Sequence, residues 1–500
     1  MQWTSQQQSA INSRNKNLLV AAAAGSGKTA VLVERIIQMI LDDNLDVDKM
    51  LIVTFTNAAA QEMRSRIHKK IFERMSTETD SDKLLRLERQ SILLSGASIM
   101  TFHAFCLSVL RRNFSKIDFD PKFREANEQE LNILKQDVIE KLFEDKYSTD
   151  VDFAKFADNF DGNVYGDSDL HQIIFDIYKF SQSRPYPETW LNSIVKFYEN
   201  PETATINDGQ SWFDFMINFA LKRARFVIED ALKKCRHAQK ISAEQIVDNT
   251  FRKNWDKVIQ IFESDYIKLN NLCAVENIWD KVFDALKTPI EFVKYPSGKL
   301  STDLVTVKEN LKVERDGYKK EIDKLRKLIN MNREDILRQI KKLAKSVRQL
   351  VNITIEFEKE FTAAKRERGI IDFDDMEHLA LKIFNADTET AESYRKKFQV
   401  IMVDEYQDTN GVQEEIISKI VRDRNFFAVG DVKQSIYRFR NADPEIFMRK
   451  YDDYPNSAES QRIDLSTNFR SRRQVVDVVN AIFRRLMTKD AMEIDYNEEI

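Results

Sequence analysis

Apolar positions along the chain fall into two textures. From residue 1 to about 114, short unbroken apolar runs alternate with stretches whose apolar residues recur at helical spacing. The runs Asn17-Leu18-Leu19-Val20 and Met50-Leu51-Ile52-Val53 show no polar alternation. They therefore predict strands buried on both faces, as in a parallel sheet, each followed by a helix. From about 115 to 370 the strand signals fade, and charged, aromatic-rich helical patterns take over. There Ile336, Ile340, Leu343, Val347, Leu350, Thr354, Phe357 and Phe361 recur at alternating spacings of four and three. They form a coiled-coil-like seam with Lys341, Lys342, Lys345 and Arg348 interleaved. Strand–helix alternation returns near 371, with Val400-Ile401-Met402-Val403 and Phe426-Phe427-Ala428-Val429 as strands. The pattern predicts one α/β domain in two parts, 1–114 and 371–455, interrupted by an all-helical insertion at 115–370. A further, incomplete domain is expected to open at 456–500.

Composition changes this picture in only a few places. A chain of 500 residues is too long for one ordinary core. With 42% hydrophobic and 32% charged residues it belongs with globular rather than disordered chains. Only 11 Gly and 8 Pro point to long helices. Cys106, Cys235 and Cys273 have no metal-ligand spacing, which fits a reducing cytosol, so the cytoplasm is the expected compartment. No signal peptide is read at the start, and no early apolar run would span a bilayer, so no membrane association is expected. A net charge of −4 supplies no bulk attraction to nucleic acid. Such binding would have to come from local basic and aromatic surfaces.

The strongest chemistry lies between a predicted strand and a predicted helix, at Ala22, Ala23, Ala24, Gly25, Ser26, Gly27, Lys28 and Thr29. Small residues let backbone N–H groups close around phosphate oxygens. Lys28 is placed to reach the β- and γ-phosphates, Thr29 to ligate Mg²⁺, and the helix brings its positive end to the site. Ala22 stands where the general pattern has its first glycine. Such a loop needs a second strand that delivers a carboxylate to the metal, and 400–403 ends in Asp404 and Glu405. Asp404 would hold Mg²⁺, and Glu405 would orient and deprotonate the attacking water.

These motifs carry a resemblance. Asp404-Glu405-Tyr406-Gln407-Asp408 resembles motif II of the UvrD/Rep/RecB-like superfamily 1 helicases. Gly430 to Arg440 is similar to their motif III, Leu51 to Asn57 with Glu62 and Met63 to motif Ia, and Leu465 to Ser471 to motif IV. Thr101-Phe102-His103-Ala104-Phe105 resembles the intervening DNA-contact motif. Val432-Lys433-Gln434 and the segment Phe439 to Pro444, with the tetra-alanine entry to the phosphate loop, favour the AddA/RecB branch.

The resemblance implies a RecA-like P-loop NTPase motor domain with a 1B-like helical insertion and the start of a second RecA-like domain. ATP and Mg²⁺ are the implied cofactors. By resemblance, Gln7 reads the adenine edge, Phe469 stacks on the base, Arg470 contacts the γ-phosphate, and Gln434 senses it. Phe55, Thr56, Asn57, Phe102, His103, Tyr437, Phe439 and Arg440 then line a single-stranded DNA track, where aromatic faces accept any base. Plainer readings stay open: an exposed glutamine at Gln7, whose register Gln6 and Gln8 leave ambiguous, a core phenylalanine at 469, a surface ion-pair partner at Arg470, a loop hydrogen-bonder at Gln434. Aromatics at strand ends also serve as core. Ala30 departs from the arginine that many relatives place beside the base, which implies looser base selectivity.

As a function, the resemblance implies an ATP-dependent 3′–5′ DNA helicase portion of an AddAB-type helicase–nuclease that processes double-strand breaks. Its partners would be single-stranded and duplex-end DNA and an AddB-like subunit in a heterodimer. Motifs V and VI and a nuclease domain are not found before Ile500, so a longer protein is expected. Two alternatives stand beside it: a UvrD/Rep-like repair helicase without nuclease, and a nucleotide-dependent single-stranded-DNA-binding module with little turnover. The 336–361 seam is read either as a helical hairpin or as an arm touching duplex DNA or a partner.

Overall fold

A computed structural model describes residues 3–117, 119–160, 168–206, 209–436, 441–488 and 496. The chain forms two compact units, one of Met1–Trp190 with Ile353–Ile500, the other of Leu191–Asn352.

The first unit is built on a six-stranded parallel sheet. Its strands are β1 (Asn17–Ala22), β2 (Met50–Thr54), β3 (Ser98–Thr101), β4 (Val400–Val403), β5 (Phe426–Gly430) and β6 (Ser460–Leu465), in the spatial order β3-β2-β4-β5-β1-β6. The four unbroken apolar runs become adjacent inner strands, buried on both faces as their pattern required. Alternate residues serve opposite cores: Leu19, Leu51, Val53, Ile401 and Ala428 on one face, Leu18, Val20, Ile52, Met402 and Phe427 on the other. Burying each such large side chain contributes roughly 1.5–3 kcal/mol. The register aligns the carboxyl ends, pairing Ala21 with Gly430, Val53 with Val403, and Thr54 with Thr101. Every loop singled out in the sequence therefore leaves the sheet on one edge, where ligands bind in open α/β folds.

Strand β6 lies within 456–500, the stretch expected to open a further domain. It pairs with β1 along its whole length, from Asn17 against Ser460 to Ala22 against Leu465, and so closes this sheet. The helix Arg473–Leu486 follows it, with no residue buried.

The 115–370 stretch divides. Its flanks belong to the first unit and meet in a short parallel pair, Arg124–Glu125 with Ile370–Ile371. The second unit is helical. Trp212–Ala243, Asn249–Cys273 and Thr302–Leu328 pack around Phe213, Leu221, Leu269 and Ile322. Inside it, Arg315 grips Asp265 with two bonds of 2.6 and 3.1 Å, and the Tyr318 hydroxyl donates to the same carboxylate at 2.7 Å. Burial first, and the Asp265 charge second, raise the Tyr318 hydroxyl well above its usual range. The predicted seam is a continuous helix, Arg333–Glu367. Its residues up to Leu350 belong to the second unit, and Thr354, Phe357 and Phe361 to the first, where they are fully buried.

Candidate functional site

The loop after β1 leads into helix α2 (Lys28–Leu41). Gly25 and Gly27 have φ of +74° and +85°, a region that costs L side chains strain, and Gly27 is the N-cap. A Cβ on Gly25 would come within 2.8 Å of Asn468 Oδ1 and 2.9 Å of the Arg470 Cβ, so the segment after β6 lies directly against the loop. Backbone and side chain hold it there: Phe469 N donates to Gly25 O at 2.9 Å and Asn468 Nδ2 to Ala24 O at 2.8 Å.

Helix α1 (Ser5–Asn12) reaches the loop from the other side. Gln7 is the buried one of the three glutamines Gln6, Gln7 and Gln8. Its amide donates to Ser26 O at 2.9 Å, while its Oε1 accepts from Thr4 N at 3.1 Å in a capping box.

Across the sheet edge, Asp404 directly follows β4 and the chain then turns sharply. Glu405 sits at φ 52°, a left-handed conformation that is costly for a glutamate and directs its chain back over the loop. Lys28 Nζ lies 3.0 Å from Glu405 Oε2. The Asp404 carboxyl is pushed up to about 6 by burial and then by the Glu405 charge. Two cavities meet here. One, of about 220 Å³, is lined by Gly25, Lys28, Thr29, Glu405, Gln434 and Arg470. The other, of about 680 Å³, takes in Asp404, Glu405, Phe55, Thr56, Asn57 and His103.

Several expectations shift in detail. Ala22 is the last residue of β1, and the Ala23 N–H donates to Leu465 O at 3.0 Å. Neither lines the cleft, which begins at Ala24. Phe102 touches the larger cavity but is only 7% exposed, edge-on to Phe105 in the core, so it offers no open stacking face. Phe469 is 59% exposed, beside the loop. Tyr437, Phe439 and Arg440 lie outside the described residues.

Other residues enter that sequence reasoning missed. Arg66 of helix α3 (Asn57–Met75) lines the smaller cavity, and nothing in its local sequence separates it from Arg64, Lys69 or Lys70. Gln407 joins the two acidic segments: Nε2 donates to Glu405 at 2.9 Å and Asp408 at 3.1 Å, and Oε1 accepts from Asp431 N at 2.9 Å. Gly430 is the residue that leaves room for it. Phe373, which opens the helix Phe373–Ala386, is 52% exposed in the larger cavity.

The residues present fit a magnesium nucleotide. Ser26 Oγ is buried with no hydrogen-bond partner among the described residues, two left-handed glycines leave the cradle open where a Cβ would close it, and the one lysine of the loop faces a carboxylate where phosphate charge would lie. A parallel sheet that brings a glycine-rich loop and a strand-end acid pair to one edge is the architecture of a P-loop nucleotide-binding domain.

The family profile for the UvrD/REP helicase N-terminal domain matches residues 3–455, and the chain belongs to that family. It is 41% identical over 513 residues to an ATP-dependent helicase/nuclease subunit from Alkaliphilus oremlandii, covering 99% of this chain and 40% of that protein. Proteins of the same name from Clostridium kluyveri and Desulforamulus reducens are 38% and 40% identical with the same coverage. The chain thus spans about two fifths of the length of these relatives. Among the described residues, no helix is long and apolar enough to cross a membrane.

Proposed function

We propose that this chain is the ATP-hydrolysing, single-strand-gripping part of a DNA helicase motor within a longer helicase–nuclease protein. The observation that carries the reading is the Lys28–Glu405 apposition of 3.0 Å across a cleft that also holds Thr29, Gln434 and Arg470. Bound ATP with Mg²⁺ supplies the phosphoanhydride that is cleaved. Ala24 to Gly27 offer backbone N–H groups to its phosphates, with Lys28 neutralising the β and γ charge. Thr29 and Asp404 would hold the metal, which would neutralise phosphate charge, and Glu405 would orient water and take its proton. Arg470 stabilises charge on the γ-phosphate, Gln434 reads its presence, Phe469 stacks on the base, and Gln7 fixes its edge.

The single strand runs through the larger cavity, over Phe55, Thr56, Asn57 and His103, and Tyr437, Phe439 and Arg440 stay proposed contacts by resemblance alone. Stacking contributes on the order of 1–3 kcal/mol per base without sequence preference. The name the relatives bear favours a helicase–nuclease over a repair helicase without nuclease. In this reading the motor moves 3′ to 5′, processes double-strand ends in the cytoplasm, and works with an AddB-like subunit, while the nuclease belongs to sequence outside these residues. As a domain plan this reading has a first RecA-like domain with a 1B-like insertion, and the beginning of a second domain only after β6, since that strand lies in the first sheet.

The test is ATP hydrolysis by this chain with and without single-stranded DNA, beside Lys28→Ala and Glu405→Gln. DNA-stimulated turnover abolished by both substitutions supports the motor. Nucleotide and DNA binding without turnover transfers the reading to a nucleotide-dependent DNA-binding module, and binding of neither sinks it.

A further inference from the structure

The larger cavity contains a buried carboxylate that the proposed reaction does not use. Glu377, on helix α5 (Phe373–Ala386), is 2% exposed yet accepts from three side chains. His103 Nε2 lies 3.2 Å from its Oε1, Gln413 Nε2 donates to Oε1 at 2.8 Å, and Asn410 Nδ2 to Oε2 at 3.1 Å. These partners come from two places that matter. His103 stands in the first turn of helix α4 (Phe102–Asn113), on the cavity wall, its ring 4.9 Å from Phe373. Asn410 is the N-cap of helix α6 (Gly411–Ile420), which directly follows the segment of Glu405, Gln407 and Asp408.

A cation in the first turn of a helix is at the unfavourable end of the helix dipole, and burial opposes it further. His103 can therefore keep its proton only with an anion behind it. We infer that Glu377 is a positioning residue: it holds His103 as a cation whose outer edge binds a backbone phosphate of the single strand, and it ties that contact to the helix after the catalytic acids. This inference rests on the proposed single-strand path through the same cavity.

The surrounding charges agree. The groups that face the imidazole are Glu377 and Asp374 on α5 and Glu125 on the short strand 124–125, all acidic. Burial lowers the imidazole's affinity for its proton, but the Glu377 bond and these charges overcome it, and His103 is raised above its ordinary value. Glu377 is correspondingly lowered: burial works against it, and His103, Gln413 and Asn410 prevail.

The test titrates a fluorescein-labelled oligothymidylate into the whole chain from pH 6 to 8.5 at several salt concentrations. The proteins are the unsubstituted chain, Glu377→Gln, and Glu377→Gln combined with His103→Lys. At pH 8, Glu377→Gln should bind roughly fivefold more weakly, with a salt slope smaller by about 0.7, the share of one single-strand phosphate. The gap should narrow toward pH 6, and the lysine should restore the slope and flatten the pH profile. A Glu377→Gln profile that superimposes on the unsubstituted one, or a loss of equal size at every pH, overturns the inference. If circular dichroism shows that Glu377→Gln does not fold, the His103 titration decides, followed by NMR in the unsubstituted chain and assigned by its absence in His103→Gln. A midpoint at or below about 6.5 overturns the inference. If the unsubstituted chain binds no oligonucleotide at any pH, the proposed function and the phosphate contact both fall, while the NMR midpoint still judges the hold of Glu377 on His103.

Discussion

Lys28 and Glu405, 377 positions apart in the chain, face each other at 3.0 Å across the edge of the sheet. The pair neutralises itself, so a nucleotide that reaches Lys28 must displace the glutamate from it. Glu405→Gln removes that competitor and also the proposed base. Nucleotide affinity should rise a few-fold, while turnover falls by on the order of 10²–10⁴, the usual share of a general base. Fluorescent-nucleotide titration and a phosphate-release assay check the two halves. Unchanged turnover would remove Glu405 from the chemistry.

Gly430 is the gate between the two acidic segments. A Cβ there would overlap Gln407 Oε1, lie 3.2 Å from the Gln407 N and press on Phe447 at 3.1 Å. Gly430→Ala should therefore cost about 1–3 kcal/mol, in the range of other overpacked cores. It should also displace Gln407 from Asp431, weakening DNA stimulation of hydrolysis more than basal hydrolysis. A melting curve and the ratio of the two rates measure this. A stable variant with an unchanged ratio would deny Gln407 its bridging role.

Lys365 is buried between Asp372 at 2.8 Å and Asp375 at 2.7 Å. Burial works to raise Asp372, but Lys365 overcomes it and holds the group below its ordinary value, so its stabilisation is present above that value and lost as pH falls through the lowered one. Burial lifts Asp375 to about 6 despite Lys365, so its contribution is complete below its ordinary value and lost as pH rises through about 6. Lys365→Met strips both carboxylates of their cation and raises both. The variant should lose about 3–5 kcal/mol near neutral pH, as when one partner of a buried pair is removed. It should recover part of that loss at pH 5, where the carboxylates take up protons. Thermal melts at pH 5 and 8 check the sign, and a loss that is larger at pH 5 would contradict it.

In the second unit, Asp265 satisfies both Arg315 and Tyr318 inside an apolar core. Asp265→Ala leaves a buried guanidinium unpaired and should cost about 3–5 kcal/mol. Asp265→Leu with Arg315→Met replaces the pair by apolar volume and should return most of that. Urea unfolding of the three proteins tests it. Equal loss in the single and double variants would show that the packing, rather than the charge, is what matters.

What the sequence determined by itself is local. Unbroken apolar runs specify strands buried on both faces, because any polar alternation would have put polar groups into one of the two cores. Gly25, Gly27, Lys28 and Thr29, and the acids ending β4, were legible because phosphate-loop chemistry demands those residue types at adjacent positions. Tertiary structure decided what depends on contacts between distant segments. Ser460–Leu465 reads as the start of something new, yet it joins the first sheet, because the free edge of β1 offers it a full ladder of hydrogen bonds. Phe102 reads as a stacking ring, yet it is core, because α4 turns that side onto the sheet. Gln407 is legible only as part of the acidic motif, with nothing to show what it joins, and Arg66, Phe373 and Glu377 carry no local signature. Their roles come from the neighbours that the register of six parallel strands brings to one edge, and a pattern with period two or three and a half cannot encode which edge residues meet.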